Sequence, residues 1–68
     1  MSTEARSFLA DARAYLKAAR TADDNRERAR CVERAVFAAG NAIASAPGSC
    51  TARAAARIIE DAQTMMGR

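Results

Sequence analysis

Ala35-Val36-Phe37-Ala38-Ala39-Gly40-Asn41-Ala42-Ile43-Ala44-Ser45-Ala46 runs for twelve residues without a charged side chain, and Pro47-Gly48-Ser49-Cys50-Thr51 follows it at once. A helix that crosses a bilayer takes about 20 apolar residues, so this stretch is half of a helix in a water-soluble fold. Upstream the pattern continues into charged sequence: Ala29, Val32, Val36, Ala39 and Ile43 alternate by three and four, the spacing of one helix face. Pro47 disfavours a helical Ala46, and Gly48 completes the stop. At the other end, Thr21-Ala22-Asp23-Asp24 has the Thr-x-x-acid form of a capping box. A helix is therefore expected over about 23–46.

The same spacing appears on both sides of it. From Thr3 to Arg20, apolar residues fall at Ala5, Phe8/Leu9, Ala12, Tyr15/Leu16 and Ala19, with Ser2 or Thr3 available as the cap. After the Pro-Gly break, Ser49 is placed to cap a third helix. Its seam reads Ala52, Ala55, Ile59, Ala62 and Met66, flanked by Ala54, Ile58 and Met65, and Gly67 ends it. Three helices over about 3–20, 23–46 and 50–66 with short connections favour antiparallel neighbours. The expected fold is all-α, a compact three-helix bundle forming one domain over residues 1–68.

Half of the 68 residues are hydrophobic, but 19 of those are Ala and two are Cys. Apart from Met1, only twelve large apolar side chains remain, a thin core for a chain of this length. Helix 2 sharpens the shortage. With Val36 at zero and roughly 100 degrees per residue, its apolar sector runs from Ala38 near 200 degrees, through Val36, to Gly40, Ala44 and finally Phe37 near 100. Two neighbouring helices do not cover so wide a sector, so the bundle is expected to be part of a homodimer. Gly40 and Ala44, four apart, let a helix approach closely, and two occupants are open: helix 1 or 3 of the same chain, or a second chain. Phe37, beside Arg30, Arg34 and Asn41 on the wheel, is a candidate interface anchor. Met65 and Met66 offer adaptable apolar surface for the same contact.

The functional chemistry is mostly defined by what is missing. No His is present, which removes the commonest general base and most zinc sites. Cys31 and Cys50 are too far apart along an antiparallel hairpin to form a disulfide. Cys50 lies where a helix begins, a position that can activate a thiol. The arginines that follow, Arg53 and Arg57, do not match the spacing of a phosphatase loop, and no Gly-rich phosphate loop or catalytic carboxylate pair occurs. No enzyme, cofactor or metal is expected.

The chain carries 11 Lys plus Arg against eight Asp plus Glu. Arg6, Arg13, Lys17 and Arg20 share one edge of helix 1, a stripe about 21 Å long at 1.5 Å per residue, suited to an acidic protein surface or to phosphates. No aromatic interleaves with it and no helix-turn-helix glycine follows, so nucleic acid is the second choice. On helix 2, Asp24–Arg28, Glu27–Arg30 and Arg30–Glu33 have the spacing of local ion pairs. The N-terminal residues lack the basic and apolar regions of a signal peptide, so a cytoplasmic location with reduced thiols is expected.

The hairpin from Phe8-Leu9 through Ala35-Val36-Phe37-Ala38-Ala39 to Ile43 resembles the first helical hairpin of HEPN domains. The resemblance covers under two thirds of the chain. The Arg-x4-6-His motif of that family's ribonucleases is absent, since no His follows Arg34, so the resemblance implies a hairpin and no activity. The function expected from the residues is a non-enzymatic interaction module that self-associates and binds a larger protein, as an accessory subunit or a small inhibitor such as a mobile element encodes. The alternative is a small basic nucleic-acid-binding protein using the helix 1 stripe.

Overall fold

A computed structural model of the protein describes residues 3–67. Three helices are formed in it: α1 (Thr3–Thr21), α2 (Asn25–Ser45) and α3 (Cys50–Gly67), with each pair in contact. The Ser2 cap suggested for α1 lies outside the described residues.

The two connections are short because each is held by local chemistry. At the first, Asp24 adopts an extended backbone, and its carboxylate accepts from the Arg26 N–H at 3.2 Å, capping α2. The helix thus begins at Asn25, after the expected Asp23. Thr21 is not part of a capping box. It closes α1 instead, its hydroxyl donating to the Lys17 and Ala18 carbonyls at 3.3 and 3.2 Å. At the second connection, the Ser49 N–H donates to the Ala46 carbonyl across Pro47 and Gly48, and Gly48 sits at φ 77. Proline second and a positive-φ glycine third is the type II pattern, which needs Gly at that place. Ser49 then caps α3 as expected: its hydroxyl accepts from the Ala52 N–H at 3.1 Å and donates to the Ala46 carbonyl at 2.6 Å.

Arg28 departs from its expected role. It does not pair with Asp24 four residues earlier. Its guanidinium reaches back over the turn, donating from Nη2 to the Ala22 carbonyl at 2.8 Å and from Nε to the Ala19 carbonyl at 3.3 Å. Nη1 meets the Asn25 side-chain oxygen at 2.8 Å. The Ala22 carbonyl lies just past the end of α1, and the Ala19 carbonyl also accepts from the Ala22 N–H at 3.3 Å; the planar donor fork adds a bond to each and so ties the end of α1 to α2. The other two helix 2 pairs are also absent; among the described residues the ion pair formed is Arg20–Asp61, at 4.0 Å. Exposed pairs of this sort contribute about 0–1 kcal/mol, too little to draw these side chains out of water. Replacing Arg28 with Ala is expected to cost about 2 kcal/mol of unfolding free energy, in line with hydrogen bonds to charged groups. Arg28→Lys should recover under half of it, because a single ammonium nitrogen lacks the planar fork whose Nε, Nη2 and Nη1 each reach a different oxygen. Urea denaturation followed by circular dichroism reads both values, and a loss below 0.5 kcal/mol for Arg28→Ala would dismiss the cap.

The core is made chiefly of alanine. The buried apolar residues are Ala5, Leu9, Ala12, Leu16 and Ala19 of α1, Val32, Ala35, Ala38, Ala39 and Ala42 of α2, and Ala52, Ala55, Ile58 and Ala62 of α3. Among the described residues every one at zero exposure is Ala, and no large side chain is fully enclosed. This rotates two of the expected seams. On α2 the buried centre is Ala35, Ala39 and Ala42, about 60 to 120 degrees around from Val36 at roughly 100 degrees per residue. Val36 and Ile43 are half-buried on its flank. On α3, Ile58 goes inside, Ile59 is half-buried and Met66 is 51% exposed. Small side chains let backbones come close along the line of contact, and larger ones then fit only where the helix surfaces diverge. No helix is long and apolar enough to cross a membrane among the described residues.

Candidate interaction surface

The large residues displaced to the flanks define the site. On α1, Phe8, Asp11 and Tyr15 recur at three and four along the edge beside the buried Leu9–Ala12–Leu16 line. On α2, Arg34, Phe37, Ala38 and Asn41 recur in the same way. These seven residues line one groove of about 290 Å3 between the two helices. The protein has one Tyr, two Phe and no Trp, so its whole aromatic complement meets there.

Phe8 and Tyr15 are half-buried and pack on the core, forming one wall, and the buried Ala38 is the floor. Phe37 is different. It is 73% exposed, and a second hollow, lined by Glu33, Arg34 and Phe37, lies on its other side. It therefore projects as a ridge between two depressions. Asp11 on the α1 wall and Arg34 on the α2 wall are exposed and make no ion pair with each other at the 4.0 Å seen for Arg20–Asp61. A hollow lined by Glu60, Asp61, Gln63 and Thr64 is larger, but it lies on α3 alone and brings no second helix or aromatic group to bear.

Of the residues singled out in the sequence, Phe37, Gly40 and Ala44 are all exposed on one side of α2. The question about Gly40 is thereby answered for the single chain. A Cβ added there meets nothing within 4 Å, so neither α1 nor α3 needs its smallness. Glycine inside a helix costs about 1 kcal/mol relative to Ala. Gly40→Ala is therefore expected to raise the melting temperature by several degrees at the 4–8 °C per kcal/mol of a small domain. A lower melting temperature would mean that a neighbour occupies the space.

Met65 and Met66 do not join that patch. Arg20, at the end of α1, meets Asp61 of α3, so the C-terminal end of α3 lies by the α1–α2 turn, and Ala44 lies at the opposite end of the bundle. Met66 is sixteen residues beyond Cys50, about 24 Å along the helix at 1.5 Å per residue. Met65 is half-buried against the core. The basic edge is present, with Arg6, Arg13, Lys17 and Arg20 all exposed, and Arg20 facing Asp61.

Cys31 is half-buried against the core and Cys50 is exposed at the start of α3; both are free thiols. No group of three or more His, Cys, Asp or Glu that could hold a metal gathers among the described residues. Of the groove residues only Phe37 is a candidate from the sequence; Phe8, Asp11, Tyr15, Arg34, Ala38 and Asn41 are added by the structure. Their signal was the repeated three-four spacing on each helix, which does not say which edges face each other. Compared with protein-family models, with curated proteins and with solved structures, the chain matches none.

Proposed function

We propose that the protein is a non-enzymatic helical interaction module that self-associates as a dimer and acts by binding a larger protein, as an accessory subunit or small inhibitor. The observation that carries this reading is Phe37, a large aromatic side chain left 73% exposed beside two other aromatics in a chain with few large apolar groups. Aromatic anchors next to a cleft are where binding energy concentrates. The exposed Arg6, Arg13 and Lys17 edge suits an acidic surface on the larger partner, the two contacts using different sides of α1. Light scattering at micromolar concentration should give twice the 7.2 kDa chain mass, and the melting temperature should rise with protein concentration, as association requires. A monodisperse species of monomer mass would refute self-association. Capture from host lysate should retain a protein after nuclease treatment; loss of all bound material on nuclease addition would favour the nucleic-acid reading of the same basic edge.

A further inference from the structure

We infer that the occupant of the Phe8–Tyr15–Phe37 groove is the same groove of a second copy, related by a two-fold axis running along it. The inference rests on the self-association proposed above and assigns its surface. A two-fold interface must be self-complementary, each element meeting its counterpart across the axis. Rotation about an axis along the groove lays the α1 wall of each copy on the α2 wall of the other. The residues that face each other are then those at the same level on the two walls. Asp11 lies twelve residues before Asp23 and Arg34 eleven after it; Phe8 lies fifteen before and Phe37 fourteen after. In a hairpin turning at Asp23, each pair shares a level. Arg34 of one copy thus meets Asp11 of the other, twice per dimer, and each Phe37 ridge packs on the other copy's α1 wall at the level of Phe8.

Two features favour this occupant. The groove carries one acid and one base on opposite walls, with no ion pair to either among the described residues, so the charge pattern is complementary to its own rotated image. The aromatic groups are arranged in the same way, since Phe37 on one wall meets Phe8 on the other at both contacts.

Sedimentation equilibrium on the full chain tests the pairing through charge reversal. Wild type is expected to dimerise. Asp11→Arg and Arg34→Asp each place like charges at both contacts, and each should weaken the homodimer at least tenfold. An equimolar mixture of the two single variants restores both opposite-charge contacts in a heterodimer and should associate as wild type does. The double variant should regain the homodimer. Phe37→Glu should give a monomer with unchanged helix content, since that side chain is exposed. Rescue by mixing cannot arise from a contact inside one chain. A dimeric wild type whose mass ignores these substitutions, or a mixture that stays monomeric, overturns the groove pairing and leaves self-association standing through another surface. A wild type that is monomeric throughout overturns both.

Discussion

Leu16→Ala is expected to destabilise the fold by about 3 kcal/mol, within the range of 2–5 kcal/mol for removing a buried Leu. Among the buried residues only Leu9, Leu16, Val32 and Ile58 have side chains larger than Ala. Each therefore accounts for an uncommon share of the apolar surface withdrawn from water. Leu16 is 6% exposed on the buried face of α1, and in a core made chiefly of alanine few side chains are long enough to collapse into the cavity left. A single core of this size supplies roughly 3–5 kcal/mol in all, so the variant should be largely unfolded at 25 °C. Urea denaturation monitored by circular dichroism measures the loss. Met66→Ala, which truncates a side chain of similar size at a half-exposed position, should cost well under half as much. Equal losses for the two would mean that Leu16 does not occupy the centre of the bundle.

The helix count and connections were legible because their signals are local. Pro47-Gly48 forces a turn through the backbone of two residues, Ser49 caps the helix that follows, and Asp24 does the same for α2 within one or two residues of the expected start. The orientation of the helices was less legible. Centring each seam on the largest apolar residues, Val36 on α2 and Ile59 on α3, assumes that the largest groups mark the line of closest approach. Here the alanines mark it, and the bulky groups flank it. A 19-alanine chain contained that possibility, but periodicity alone does not separate the two arrangements, since both repeat every three or four residues. The groove was hidden for a related reason. Phe8-Asp11-Tyr15 and Arg34-Phe37-Asn41 are visible as rows, yet only the rotation of α1 against α2 brings them face to face. Arg28 is a further case: spacing offered it Asp24, and its guanidinium donates instead to the Ala19 and Ala22 carbonyls at the turn.

If alanine marks the line of closest approach, enlarging it must be as damaging as hollowing out a leucine. Ala39→Leu is expected to cost about 3 kcal/mol, the upper part of the usual 1–3 kcal/mol for overpacking. Ala39 has no exposed surface and lies between the buried Ala35 and Ala42 on the inner face of α2. Three added carbons there have no void to enter, so α2 must move away from its neighbours, lifting Ala35 and Ala42 off their contacts as well. A core held apart by large side chains would behave differently, because one more leucine beside Val36 and Ile43 would add apolar contact. Ala44→Leu makes the same chemical change at an exposed position of the same helix, and there the effect should stay within about 0.5 kcal/mol, as for most surface substitutions. Comparing the two by urea denaturation isolates packing from helix propensity, which is shared. An Ala39→Leu variant as stable as Ala44→Leu would show that the helices stand farther apart than an alanine seam allows. The bulky residues would then belong inside, and the exposed position of Phe37, on which the proposed interface depends, would have to be abandoned with it.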